Sequence, residues 1–308
     1  MTLSNAWQML RRQRQLRISK RDGVWSVEPV AHSMAITGYR LVIIIHGYNN
    51  REVAASKSYE AFYKELLEFL PGYEFNHVWE VYWPGYWQVK PFDIEELSWS
   101  SYSFKVPDTP HIGQALADYL NEINSGGQRV RDVLFIAHSL GCRIVLETTR
   151  GLSERGGLNV AGICLMAAAV PTSMVSSTGS LRAGAEYADK RYILYSTADS
   201  VLRWAFRPGQ FFAALGTPEA VGRFGNPKSF WDRRHENVVN TGLDHGEYYT
   251  GRPKRSPLAR SRTSSTVARM FGCSLPMYPR ESDPYVVDWS VESSPPLPHH
   301  EVGERNFG

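Results

Sequence analysis

RDVLFIAHSLGCRIVLE, residues 131–147, reads as a buried strand that runs straight into a helix. Val133 to Ala137 is a short apolar run of the kind that fills the middle of a sheet, and the helix starts just after Ser139. Only a sharp strand-to-helix turn fits between them, and such a turn lifts the Ser139 hydroxyl above the end of the sheet. The small residues Ala137 and Gly141, two positions either side of the serine, let the strand and helix backbones pass closely, while the helix N-terminus faces the place where a carbonyl would react. Ser139 is the candidate nucleophile; the plainer alternative is a serine that only caps a helix.

Outward from this stretch the same alternation recurs. Leu41 to Ile45, Val78 to Trp83, Gly162 to Ala169 and Tyr192 to Tyr195 are further short apolar runs, which read with Val133 to Ala137 as buried strands of a mostly parallel sheet. Between them, Tyr59, Phe62, Tyr63, Leu66, Leu67 and Leu70 repeat at three and four before Pro71 and Gly72, and Ile112, Ala115, Leu116, Tyr119, Leu120 and Ile123 do the same. The implied class is α/β, a doubly wound, mostly parallel sheet with helices on both faces. Two aromatic segments break the rhythm, near 84–110 and 201–231, and read as insertions over one end of the sheet. The α/β domain is expected over 38–250, after a basic N-terminal extension of residues 1–37. A polar C-terminal extension follows over 251–308, whose SSPPLPHH at 293–300 cannot bury enough apolar area to offset chain entropy.

Apolar residues make up 43% of the 308, charged residues 21%, and mean hydropathy is -0.34, which excludes disordered, collagenous and disulfide-stapled classes. No apolar run approaches the roughly 18 residues of a membrane span. The basic start (Arg11, Arg12, Arg14, Arg17, Lys20, Arg21) is not followed by a signal-like apolar segment, so a cytoplasmic protein is expected. Cys142, Cys164 and Cys273 are scattered, without the spacing of a zinc site or a disulfide framework. A net charge of +3 is too weak a field to argue for nucleic acid. The basic start and the tail read as solvated segments, with contact to an anionic membrane or to a protein as their functional alternative.

A serine needs a base within hydrogen-bond reach, itself oriented by a carboxylate. Strand Tyr192 to Tyr195 leads to Asp199 at the carboxyl edge of the sheet, where open α/β sheets bind their ligands. Asp199 is the chosen acid; the competing reading is a loop aspartate capping a helix that begins near Val201. Of nine histidines only His235 and His245 follow the serine outside the tail, flanking a final strand Glu236 to Asn240. That strand puts His245 at the same edge and His235 at the far end, so His245 is favoured as base over a surface histidine paired with Asp244. The backbone N–H groups of Leu140 and of Tyr48, the latter in His46-Gly47-Tyr48-Asn49-Asn50 after the first strand, are the candidate oxyanion donors. His46 reads as a brace for that loop rather than a base, and Asn49 or Asn50 as a cap for the next helix.

HGYNN after a hydrophobic strand, VYWPG near 81–85, AHSLG at the turn and DHGEYY near 244–249 together resemble the alpha/beta-hydrolase superfamily, most closely its bacterial branch of unknown function, over roughly residues 38–250. Ala137 stands where the usual pattern has glycine. The resemblance implies an alpha/beta-hydrolase fold with Ser139, Asp199 and His245 as nucleophile, acid and base. It also implies an oxyanion hole at Tyr48 and Leu140. The resemblance does not set the substrate; a serine nucleophile argues for acyl transfer to water, so the expected reaction is cleavage of carboxylic ester or thioester bonds, with no metal or organic cofactor needed, on a small acyl ester or lipid. Of the aromatics in the two insertions, Trp87 and Trp204 are the candidates for substrate binding, the plain alternative being that such aromatics only pack the insertions down. A non-catalytic binding scaffold and a serine peptidase are the competing functions.

Overall fold

The computed structural model describes residues 14–30, 40–48, 51–69, 78–85, 98–125, 130–213, 218–225, 236–248, 263 and 265–270, all within the first of the chain's two units, Met1–Ser274 and Leu275–Gly308. Among them, eight strands form one sheet: β1 (Gln15–Arg21), β2 (Val24–Pro29), β3 (Arg40–Ile45), β4 (Val78–Tyr82), β5 (Asp132–His138), β6 (Asn159–Met166), β7 (Arg191–Tyr195) and β8 (Glu236–Asn240). Their order is β2-β1-β4-β3-β5-β6-β7-β8, every pair parallel except the β1–β2 hairpin. The helices are α1 (Glu52–Phe69), α2 (Ser98–Lys105), α3 (Thr109–Ser125), α4 (Gly141–Arg155), α5 (Arg182–Tyr187), α6 (Ser200–Trp204), α7 (Phe206–Phe212) and α8 (Val221–Phe224).

The middles of β3, β5 and β6 are apolar because both faces are covered. Successive side chains of a strand point to opposite faces. Leu41, Ile43 and Ile45 of β3, with Val133, Phe135 and Ala137 of β5, therefore pack on Ile112, Leu116 and Leu120 of α3 and Ile144 and Val145 of α4. Val42, Ile44, Leu134 and Ile136 meet Tyr59, Phe62, Tyr63 and Leu66 of α1 on the other side. The Tyr59 hydroxyl satisfies itself inside that layer by donating to the Val81 carbonyl at 2.9 Å. Each burial of such a side chain is worth about 1.5–3 kcal/mol.

Two segments depart from the sequence reading. Gln15–Pro29, assigned above to a solvated extension, form the β1–β2 hairpin, and Gln15 to Arg17 pair in parallel with Glu80 to Tyr82 of β4. Leu16 and Ile18 bury their side chains in the core between exposed cations, and the turn is Asp22-Gly23 with φ of +50° and +83°. Asp-Gly is the signature of a two-residue hairpin turn, a local signal that the basic composition masked. Beyond residue 250, residues 265–270 are helical and bury Val267 and Met270 in the α1-side layer. A strongly polar stretch thus contributes a short apolar stripe. The carboxyl ends of β1, β3, β4, β5, β6, β7 and β8 share one rim, because all seven run in the same direction.

Candidate active site

β5 ends at His138, and Ser139 turns the chain at φ +54°, in the left-handed region that a β-carbon disfavours. The surrounding backbone over-determines this conformation. Ser139 N–H donates to the Met166 carbonyl at 2.9 Å, and the Ser139 carbonyl accepts from Cys142 N–H and Ala169 N–H, both at 3.1 Å. Helix α4 begins two residues later, with Leu140 as its N-cap. The close approach that the sequence reading assigned to the strand and helix of this turn is at Gly141 made instead with the end of β3: a Cβ built on Gly141 would lie 2.5 Å from the His46 carbonyl oxygen and 2.9 Å from that of Ile45. Gly47 closes the same contact from the other side, since its Cβ would lie 2.8 Å from Ser139 Cβ. The two glycines let the loop carrying Tyr48 lie against the turn carrying Leu140.

Asp199 follows β7 and is fully buried. Its Oδ1 accepts from Leu202 N–H at 2.8 Å, capping α6, and its Oδ2 receives His245 Nδ1–H at 2.8 Å. The two readings of this residue, helix cap and orienting acid, are therefore compatible, one oxygen for each. The bond at Nδ1 leaves Nε2 of a neutral His245 as an acceptor, and Ser139 Oγ lies 2.9 Å from it. Ser139, His245 and Asp199, up to 106 residues apart in the chain, form one hydrogen-bonded line at the sheet's rim.

A sequence model of the Alpha/beta hydrolase family matches residues 42–305. The chain belongs to the alpha/beta hydrolase family. Among solved structures it is similar to carboxyl esterase 2 of the mycorrhizal fungus Tuber melanosporum, at 12% identity over 84% of this chain and 86% of that one, with a TM-score of 0.42. It is similar also to the Pyrococcus furiosus esterase Pf2001, at 14% identity over 82% and 87%, with a TM-score of 0.40. A third likeness is to the NocB thioesterase domain, at 13% identity over 77% and 96%, with a TM-score of 0.38. No curated protein sequence matches it.

In this alpha/beta hydrolase His46 braces its loop: Nδ1–H donates to the Gly47 carbonyl at 2.8 Å, Nε2 accepts from Trp83 N–H at 3.3 Å, and the ring stacks on Trp83 at 5.6 Å. Burial pushes its pKa down to about 4, so the ring is neutral at pH 7. His235 lies outside the described residues, as do Asn49, Asn50, Cys273 and Trp87. Cys142 and Cys164 are buried thiols, both raised by burial. Among the described residues no cluster of His, Cys, Asp and Glu is arranged to hold a metal ion, and no helix is long and apolar enough to cross a membrane.

His138 escaped the sequence reading, and Asp244 entered it only as the partner of a surface histidine. His138 Nε2–H donates to the His245 carbonyl at 2.7 Å, and its ring packs 4.9 Å from the His245 ring. Burial first, then the nearby His245, lowers its pKa to about 3, which keeps a second positive charge away from His245. Nothing local in the sequence distinguishes His138 from any polar residue before a turn. Asp244 does carry a local signal: Asp-His-Gly-Glu is a capping box, in which the Asp244 side chain accepts from Glu247 N–H and the Glu247 side chain from Asp244 N–H at 2.7 Å, while Asp244 Oδ1 also accepts from His245 N–H at 2.9 Å. The same Oδ1 takes Ser200 N–H at 2.9 Å and the Ser200 hydroxyl at 2.8 Å, which ties the His245 loop to the helix that Asp199 caps.

The insertion aromatics divide between packing and exposure. Tyr102 and Phe206 are buried, and Tyr102 accepts from Gln210 Nε2 at 2.8 Å while its ring meets Tyr48 edge-on at 5.4 Å. Trp204 is 70% exposed and Phe212 73%. They line an open apolar groove of about 540 Å³ with Val201 and Pro208, immediately after Asp199.

Proposed function

We propose that this protein is a serine hydrolase that cleaves carboxylic ester or thioester bonds through an acyl-enzyme. The observation that carries the reading is the unbroken pair of bonds Ser139 Oγ to His245 Nε2 (2.9 Å) and His245 Nδ1 to Asp199 Oδ2 (2.8 Å), with the serine held at φ +54° on the turn that follows β5. In the first half-reaction Ser139 Oγ attacks the acyl carbon as its proton passes to His245 Nε2. The oxyanion is received by Tyr48 N–H and Leu140 N–H, and collapse expels the alkoxide or thiolate, which takes the proton from His245. In the second, His245 deprotonates a water that attacks the acyl carbon and returns the proton to Ser139 Oγ as the carboxylic acid leaves. Asp199 holds the ring in the working tautomer and stabilises the imidazolium. The groove at Trp204 and Phe212 suits an apolar acyl chain, which favours a lipase-like preference.

A fluorophosphonate probe tests the chemistry. Wild type is expected to label, and Ser139→Ala and His245→Ala not to label while melting within a few degrees of wild type. Labelling that persists in Ser139→Ala, or a well-folded wild type inert to both the probe and p-nitrophenyl esters, would end this reading in favour of a binding scaffold. Rates on p-nitrophenyl esters of increasing chain length are expected to rise with chain length and to lose that rise in Trp204→Ser.

A further inference from the structure

Of the phenylalanine and tryptophan side chains exposed among the described residues, Trp204, Phe211, Phe212 and Phe224 lie on α6, α7 and α8, and Phe104 alone lies elsewhere. Helix α6 packs against both α7 and α8. Trp204 and Phe212 line the same open groove, and the Phe211 ring meets Phe212 edge-on at 5.8 Å, so these rings form a cluster rather than scattered exposures. Arginines lie on the rings: the Arg203 guanidinium is 4.7 Å over Trp204, and on α8 the Arg223 guanidinium is 4.7 Å over Phe224. The described residues from Ser200 to Gly225 carry one further cation, Arg207, and one carboxylate, Glu219, which pair at 3.2 Å. Three cations against one carboxylate leave this stretch two positive charges in surplus.

We infer that the α6–α8 face docks on an anionic lipid surface, its rings entering the layer at headgroup level and Arg203 and Arg223 meeting the phosphates. Soluble monomers rarely leave a contiguous apolar patch open, and such patches mark contact surfaces. Shape and charge decide what this one contacts. Trp204, Phe211 and Phe212 stand out at 60–73% exposure. A fluid layer receives protruding rings without a matching pocket, and aromatic rings with cations beside them settle where apolar tails meet charged headgroups. A second copy fits less well, because a two-fold axis sets one net-positive face against another. Anionic phosphates meet both arginines instead, each cation being worth about fivefold in binding at such a surface. Helix α6 starts at Ser200, directly after Asp199, so docking here brings the groove of Trp204 and Phe212 to the lipid. The inference goes beyond the hydrolase reading, and the docking itself stands without it.

Vesicle flotation of the full chain carrying Ser139→Ala tests the docking apart from catalysis. Binding is expected on vesicles of three parts phosphatidylcholine to one of phosphatidylglycerol, with at least about fivefold weaker binding on phosphatidylcholine alone and weaker binding at about 0.5 M NaCl as screening sets in. Added to Ser139→Ala, Phe211→Ser and Arg203→Gln, both at exposed positions, are each expected to weaken binding to the anionic vesicles by about fivefold or more. Val24→Ser, at an exposed valine on β2 at the opposite edge of the sheet, is the control and is expected to bind as before. In a chain with Ser139 intact, Phe211→Ser is expected to keep kcat/KM on water-soluble p-nitrophenyl acetate within about threefold, as exposed substitutions do. No flotation of the Ser139→Ala chain overturns the inference. Flotation unchanged by Phe211→Ser also overturns it and assigns lipid binding to the basic ends of the chain, and equal flotation on both vesicle types removes the role of the arginines and with it the anionic surface. A dimer in light scattering that Phe211→Ser splits, without flotation, gives the face to a second copy. Flotation as expected with no hydrolysis of the acetate ester leaves the docking standing and counts against the hydrolase reading alone.

Discussion

Gly141→Ala adds a single methyl group at the point where α4 meets the end of β3. That Cβ would lie 2.5 Å from the His46 carbonyl oxygen and 2.9 Å from the Ile45 one, and both obstacles are backbone. Ordinary contact requires about 3.2–3.4 Å, so the helix start and the His46–Tyr48 loop must separate by roughly 0.7–0.9 Å, because close-packed interiors have no slack to absorb it. Leu140 and Tyr48, the residues whose N–H groups are proposed to share the oxyanion, sit on the two sides of that contact. Misplacement of about 1 Å costs on the order of a hundredfold in rate, so kcat/KM is expected to fall by about 10- to 100-fold. Stability changes less: overpacking costs about 1–3 kcal/mol, and replacing glycine in a helix returns up to about 1 kcal/mol. The assay is ester hydrolysis and fluorophosphonate labelling rate beside thermal melting. Gly246→Ala, next to His245 but with nothing within 4 Å of its added Cβ, is the control and is expected to stay within about threefold of wild type, as exposed substitutions usually do. If Gly141→Ala also stays within that range, the two-sided oxyanion geometry is wrong.

Asp199→Asn keeps an oxygen for Leu202 N–H but loses the carboxylate that orients His245, so kcat is expected to drop by about 10⁴ with little change in melting temperature. Asp199→Ala should be as inactive and also lose about 1 kcal/mol of capping in a urea titration. Asp244→Ala removes the bonds to Ser200 and the His245 N–H and is expected to cost about 1–2 kcal/mol. It should lower kcat more than it changes KM, and an unaltered kcat would show that the capping box does not position His245. His46 and His138 are held at about 4 and about 3 in the folded protein, below the ordinary histidine value. Between roughly pH 6.5 and 4 the unfolded chain therefore binds more protons than the folded one, and stability falls as pH falls through that window. Urea midpoints at about pH 7.5 and 5 should differ in that direction, with a smaller difference in His138→Gln; a midpoint indifferent to pH here contradicts the buried, neutral state of both rings.

The strands nearest Ser139 were legible in the sequence because a strand buried on both faces must be apolar at every position, and the α1 and α3 helices because one-sided burial imposes a three-and-four period. The serine turn was legible for a related reason: strand, small residue, serine, small residue, helix admits few backbone paths. The β1–β2 hairpin was not, since Leu16 and Ile18 sit among cations, Trp25 and Val27 are only partly buried, and an edge hairpin needs to bury just one face. Nor was the helical stripe at Val267 and Met270, which a Ser- and Arg-rich neighbourhood hides. At the site, sequence order alone brought Asp199 and His245 to the right edge, because parallel strands all end there. Contact between them was a tertiary matter. Asp199 proved to serve two donors at once, Asp244 to pin the His245 loop to α6, and His138 to hold the His245 carbonyl from below. A hydrogen bond between residues 107 positions apart depends on distances that no local pattern encodes.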